Sequence, residues 1–276
     1  MSATIRIGIS GWTYAPWRGT FYPAGLVHRR ELAYAAERLG SIEVNGSFYA
    51  LQKPSSYARW RSEVLEHSVL ALKGPRFVTH MKRLKDARVP VANFLASGPL
   101  ALGPHLGPLL WQLPATLAFD ESSVAEFLRM LPRTTGDAAR LAAEHDDRIP
   151  DDQALTVAED DRPLRHAVEP RHPSWAEPAV VELFRREGVA LVMADTAGTW
   201  PEIREVTSDF VYLRLHGDDE LYVSGYTDEA LDVWAQRLLG WRDAGLDVYC
   251  YFDNDTKVRS PFDAMALMER CGVVAG

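Results

Sequence analysis

Charged side chains recur at alternate positions inside short apolar runs. Ser41–Tyr49 carries Glu43 and Asn45 against Ile42 and Val44. Val69–Arg76 carries Lys73, and His166–His172 carries Glu169 and Arg171. Ala190–Thr196 holds Asp195 near its end, and Phe210–Gly217 sets Tyr212, Arg214 and His216 against Leu213 and Leu215. These types supply acids, bases and anion-holding cations together. Carboxylates on opposite sides of a sugar ring are what glycoside hydrolysis needs. Glu43 and Glu169 are therefore candidate acid–base residues, with Asp195 beside them. The like charge of Arg214 disfavours the charged form of His216, and a near-neutral imidazole suits proton transfer. Lys73, Arg171 and Arg214 can hold an anion. They can equally pair with Glu43, Glu169 and Asp195 as a structural ion-pair network, because an unpaired buried charge is costly. Lys73 could form a Schiff base if burial lowered its pKa; pairing with Glu43 would keep it charged.

A second group of candidates surrounds the first. The stretch Lys73–Arg88 holds six Lys or Arg and one Asp, and its cations Arg76–Lys85 follow the third strand. Local positive charge in an acidic chain points to an anionic ligand: a phosphate, a carboxylate or a nucleic-acid backbone. Arg76 and His80 join the site on that ground. Gln112, at the end of the fourth run, and Asp253-Asn254, at the end of the last, add polar groups. Among many aromatics in the connections, Trp12, Tyr49 and Trp175 are singled out as rings that could stack on a sugar or base.

The elements that must position these residues follow from periodicity. Strands are expected at Ile5–Trp12, Ser41–Tyr49, Val69–Arg76, Leu106–Pro114, His166–His172, Ala190–Thr196, Phe210–Gly217 and Asp247–Asn254. Helices are expected near His28–Leu39, Ser55–Glu66, Val91–Leu102, Asp120–Leu131, Glu177–Glu187, Asp228–Ala244 and Pro261–Arg270. Strands alternating with helices build parallel units, and in a single domain of 276 residues a (β/α)8 TIM barrel is the favoured closure. Counting in twos sends Ile5, Ile7 and Ile9 toward the helices and Gly8, Ser10 and Trp12 inward. The same count sends Glu43, Asn45, Lys73, Glu169, Arg171, Tyr212, Arg214 and His216 inward. Their C-terminal strand ends are where barrel enzymes place chemistry. Ala197–Asp209, with Pro201, is expected to be an irregular sixth connection. Residues 133–165 carry nine Asp or Glu and are expected to form a solvated insertion, with a short helix at Asp137–Glu144.

Composition narrows the class. The chain is 47% apolar and 25% charged with net charge −8, an ordinary globular balance that argues against a general nucleic-acid coat. No apolar run approaches the ~20 residues of a membrane span. The N-terminus enters a strand pattern without a signal-peptide profile. Two lone cysteines, Cys250 and Cys271, make neither a disulfide framework nor a zinc signature. A cytoplasmic location without a membrane partner is expected.

The motifs also resemble a family. Gly11-Trp12-Thr13-Tyr14 with Trp17, Gly19 and Phe21-Tyr22-Pro23 is similar to the opening of the YecE-like family. So are Val44-Asn45-Gly46-Ser47-Phe48-Tyr49, Lys73-Gly74-Pro75-Arg76 with Thr79-His80, and Leu106-Gly107-Pro108 with Gln112-Leu113-Pro114. Glu169-Pro170-Arg171-His172 with Ser174-Trp175, Arg214-Leu215-His216-Gly217 and Tyr251-Phe252-Asp253-Asn254-Asp255 complete the set. The chain departs from the family pattern at Gly46, at Asp253 and over Lys257-Val258-Arg259. The resemblance implies a TIM-barrel fold and no particular activity.

The functional expectation is an enzyme, a hydrolase or lyase, acting on an anionic, sugar-containing or phosphorylated small molecule. Glu43, Glu169, His216 and Asp195 would move protons. Trp12, Asn45, Tyr49, Lys73, Arg76, His80, Gln112, Arg171, Trp175, Arg214, Asp253 and Asn254 would bind. No cofactor is expected. A divalent metal held by Glu43, Glu169, Asp195 and His216 is the variant to consider, though no HxH or HExxH pattern supports it. The alternative is a damaged-DNA binder, or a metal-assisted phosphodiesterase resembling endonuclease IV, using Arg76–Lys85.

Overall fold

The computed structural model describes residues 3–218, 221–222 and 224–274. Parallel strands alternate with helices, an α/β fold of the TIM-barrel class. In chain order the strands are β1 (Ile5–Ser10), β2 (Ser41–Val44), β3 (Val69–Lys73), β4 (Leu106–Gln112), β5 (His166–Glu169), β6 (Ala190–Leu191), β7 (Met193–Asp195), β8 (Phe210–Leu215) and β9 (Asp247–Phe252). The helices are α1 (Glu31–Ala36), α2 (Gly46–Tyr49), α3 (Pro54–Glu63), α4 (Arg88–Ala96), α5 (Glu121–Met130), α6 (Thr135–Ala142), α7 (Pro178–Glu187), α8 (Asp228–Asp243) and α9 (Ser260–Cys271). The chain divides into two compact units. The first is Met1–Glu43, Glu63–Val69 and Ala190–Gly276; the second is Val44–Ser62 and Leu70–Val189.

In the first unit β2, β1, β9, β8 and β7 pair in that order, all parallel. The Ile5, Ile7 and Ile9 side chains are buried, as their alternation requires. Gly8 lies opposite Ser41. A Cβ there would fall 1.7 Å from the Ser41 carbonyl oxygen, so β1 and β2 approach this closely only because position 8 has no side chain. The single sixth strand expected at Ala190–Thr196 is two short pieces, because the Leu191 N–H donates to the Thr207 hydroxyl (2.9 Å). The connection after it, through Pro201, holds no helix among its described residues, in line with the irregular crossover read from the sequence. In place of the expected helix near His28–Leu39, a 3-10 turn at His28–Arg30 leads into the shorter α1.

In the second unit β3, β4 and β5 pair in parallel. The expected third strand, Val69–Arg76, stops at Lys73, where Gly74-Pro75 follows and proline cannot donate to a ladder. A π-helical turn then runs over Phe77–Met81, a geometry enriched at functional sites. The helix expected at Val91–Leu102 breaks at Gly98, whose backbone is left-handed (φ 118°), and a 3-10 segment Pro99–His105 takes over. A Cβ on Gly98 would lie 2.5 Å from Pro54 Cα, so glycine is needed there twice over. The insertion is less solvated than its charge suggests. Thr134 caps α6 by accepting the Asp137 N–H (3.0 Å). The helix packs on α4, burying Ala138, Leu141 and Ala142. Its apolar stripe outweighs its acidic neighbours.

Candidate functional site

In the first unit the register of β1 and β2 sets Ser10 beside Glu43, and that of β8 and β9 sets Arg214 beside Tyr251. Glu43 and Arg214 are both fully enclosed. The Glu43 carboxylate accepts from Ser10 Oγ (2.5 Å), Tyr212 Oη (2.7 Å), Arg214 Nε (3.1 Å) and Arg214 Nη2 (2.9 Å). Arg214 Nη2 also reaches Asp253 Oδ2 at 2.8 Å. A carboxylate so fully satisfied holds its guanidinium partner in place. His216 Nε2 faces Arg214 Nη1 at 3.4 Å, and Nδ1 lies 3.2 Å from Asp253 Oδ2. A guanidinium only donates, so Nε2 can meet it only as an acceptor. Trp200 and Tyr222 present ring edges to the same imidazole.

The alternation on β8 thus identified the network, but not its pairing. Arg214 meets Glu43 and Asp253, whereas Asp195 accepts from Tyr226 Oη (3.1 Å). Burial pushes the Asp195 carboxyl up, against the Tyr226 hydrogen bond. Asn254 is buried and donates to Asp263 Oδ2 (2.9 Å), which also takes Arg259 through Oδ1 (2.9 Å). Trp12 is half-buried, and its carbonyl accepts from Tyr22 Oη (2.6 Å). Sequence reasoning passed over Asp255. Burial first, then the nearby Asp253 charge, push its carboxyl up to about 7. The signal was available as two acids two residues apart just past the end of the last strand. Tyr212 also gains a role, because its hydroxyl completes the Glu43 shell. Tyr212→Phe is expected to lower the unfolding free energy by about 1.5–3 kcal/mol, the range for a hydrogen bond to a charged group. Urea denaturation of the variant beside the wild type checks this.

The second unit assembles a different group. Ser47 Oγ donates to the Lys73 carbonyl at 2.7 Å, tying α2 to the end of β3. Lys73 Nζ then sits 4.5 Å from the centre of the Phe48 ring. Phe48 turns its ring at 82° to His80, 5.2 Å away. His80 comes from the π-helical turn, with Nδ1 2.9 Å from Thr79 Oγ1. Burial and the charges of Lys73, Arg76 and Arg171 push its pKa down to about 4, so the imidazole is neutral at pH 7. Glu169 is fully buried, and one of its oxygens accepts from both Nε (2.9 Å) and Nη2 (2.8 Å) of Arg171.

The remaining sequence candidates of this unit take varied positions. Gln112 is opposite Glu169 in register and donates to the Leu113 carbonyl (2.6 Å). Asn45 is half-buried just before α2, and Tyr49 is exposed. Trp175, in the 3-10 turn before α7, is fully buried between Phe119 and Phe184 of α7 and donates to the Leu117 carbonyl (2.9 Å). Among the described residues no group of three or more His, Cys, Asp or Glu is placed to hold a metal ion. Likewise none of the described helices is long and apolar enough to cross a membrane.

The model of the protein family of unknown function DUF72 matches residues 6–275. The chain belongs to the DUF72 family. YecE of Escherichia coli K12 is 31% identical over 130 residues, 46% of this chain and 44% of its own length, so the chain matches less than half the length of this curated relative. A DUF72 family protein from Thermotoga maritima has the same fold at a TM-score of 0.76 and 22% identity, covering 96% of this chain and 98% of its own. A DUF72 family protein from Enterococcus faecalis superposes at 0.74 with 16% identity, covering 98% and 96%. At these identities the likeness shows the fold alone.

Proposed function

We propose that this DUF72 protein is an enzyme, a hydrolase or lyase, acting on a small anionic molecule that is phosphorylated or sugar-containing. The observation that supports it best is the placement of Lys73 and His80 around the Phe48 ring of the second unit, 4.5 and 5.2 Å from its centre, where the charges of Lys73, Arg76 and Arg171 all act on the imidazole. Positive potential of this kind favours anion binding. An arriving phosphate or carboxylate would oppose the three cations and raise the His80 pKa. The imidazole would then take up a proton as the anion binds and could pass it to a leaving group. Glu169 would position Arg171. In the first unit, Asp195 and His216 are the proposed proton-transfer residues, with Glu43 positioning Arg214. Both cysteines are free and buried, which suits the cytoplasmic location we assign.

The test couples binding to protonation. Inorganic phosphate is titrated into the full chain while the His80 ring is followed by NMR across pH 3–8. We expect the His80 pKa to rise from about 4 on binding. Phosphate affinity should then strengthen as pH falls below the bound-state pKa. Lys73→Gln and Arg171→Gln should each weaken phosphate at least about tenfold, the effect of losing one charged hydrogen-bonding partner. A His80 resonance that ignores phosphate overturns the reading. So does single-stranded DNA binding with a steep log–log salt slope in place of phosphate binding, which would instead favour a nucleic-acid partner.

A further inference from the structure

Arg76 also borders a cavity of about 420 Å³ in the second unit. Its walls are Phe48, Leu51, Pro75, Phe77, Met81 and Pro90, and its polar lining is Arg76, Arg148 and Asn93. Asn93 is already engaged at both ends: its Nδ2 donates to Asp146 Oδ1 (2.8 Å) and its Oδ1 accepts the Asp146 N–H (2.9 Å). The same Asp146 oxygen accepts the Arg148 N–H (3.1 Å). Asn93 therefore anchors the segment that carries Arg148, and its amide is not turned to a ligand. The Arg148 guanidinium lies 4.9 Å from the centre of the Phe77 ring. Among the described residues neither Arg76 nor Arg148 forms an ion pair, in a chain where most arginines do. Met81 and Tyr49 are 64% and 71% exposed at the rim, so the apolar lining continues to the surface.

We infer that this cavity receives an aromatic ring attached to the anion, so that the ligand is an aromatic phosphate or carboxylate. The inference rests on the anion site proposed above, with which the cavity shares Phe48 and Arg76. Planar surfaces decide the class. The Phe77 ring and the guanidinium over it offer stacking faces, and flat rings are bound by such faces at low entropy cost. The Arg76 and Arg148 guanidinium groups at the edge of these apolar walls supply positive charge that an anionic substituent on the ring complements. The π-helical turn is what brings Phe77 and Met81 to the cavity while His80, on the same turn, faces Lys73 and Phe48. One turn thus serves both the anion and the ring.

The experiment compares 1-naphthyl phosphate with inorganic phosphate on the full chain by calorimetry. Wild type, Arg148→Gln, Phe77→Leu and Lys73→Gln are measured. We expect 1-naphthyl phosphate to bind at least about tenfold tighter than inorganic phosphate, as one stacked ring contributes. Arg148→Gln and Phe77→Leu should remove most of that advantage and leave inorganic phosphate unchanged. Equal affinity of the two probes, or an advantage that survives Arg148→Gln, overturns the aromatic pocket while leaving the anion site standing. An advantage that depends on Arg148, with phosphate binding indifferent to Lys73→Gln, upholds the pocket and removes the anion site. Arg148 is exposed, so its variant keeps the test free of folding defects.

Discussion

Arg214→Met should lower the free energy of unfolding by about 3–5 kcal/mol, the cost of stranding a buried charge. The guanidinium is fully enclosed and gives Glu43 two of its four hydrogen bonds. Methionine fills much of the volume but leaves the Glu43 carboxylate with only the Ser10 and Tyr212 hydroxyls. It also strips Asp253 of its contact at 2.8 Å. The penalty belongs to the charge left behind, not to the lost contact. Glu43→Gln in the Arg214→Met background should therefore recover part of it. Denaturant unfolding of both single variants and the double variant measures the coupling. Strict additivity would show that Glu43 and Arg214 do not stabilise each other. Recovery in the double variant would identify the pair as a device of position: it fixes Arg214 against Asp253 and His216 whatever its net contribution to stability.

That pairing marks the limit of what the sequence could say. Alternation alone separated Glu43 from Ile42 and Val44, and Arg214 from Leu213 and Leu215, because a strand has only two faces. Partners in space depend on register and on close approach. Nothing in the run around Gly8 announces that Ser10 will meet Glu43, since that rests on the missing Cβ at position 8. Asp195 ends its strand as plainly as Glu43 sits in its own, yet Tyr226, far along the chain, takes it. The π-helical turn at Phe77–Met81 was hidden for a different reason. One residue added to a helical turn leaves no periodicity to read in so short a segment. The basic stretch after β3 was legible as charge. That His80 feels the charges of Lys73 and Arg171, while Phe77 and Met81 line a cavity, depends on that turn. The insertion misled because charge counts describe its exposed face, while Ala138, Leu141 and Ala142 decide how α6 packs.

His166 carries the second large prediction, one of pH. It opens β5 fully buried, with Nε2 2.7 Å from the Pro132 carbonyl and Nδ1 3.2 Å from Trp111 Nε1. The indole nitrogen can only donate, so Nδ1 must accept and the ring is neutral with its proton on Nε2. Burial opposes the charged form and pushes the pKa down to about 3, and a second proton would also set two N–H groups against each other. In the unfolded chain the same side chain titrates near 6.5. Between those values the unfolded state binds the extra proton, so the stability this site contributes is whole above about pH 6.5 and drains away as pH falls toward 3. From pH 7 to pH 4 the loss is about 3 kcal/mol. His166→Gln can keep a donor for Pro132 and an acceptor for Trp111 but cannot titrate. It should start less stable than wild type at pH 7 and close on it by that amount at pH 4. Asp255 works in the other direction. Its carboxyl is raised in the folded state, so its contribution is whole at low pH and is lost as pH climbs toward 7. The wild-type curve sums opposing slopes and can look flat. The difference between His166→Gln and wild type, followed by urea unfolding at each pH, isolates one of them. A difference that does not change with pH would mean that His166 is protonated in the fold, with Trp111 turned away from it.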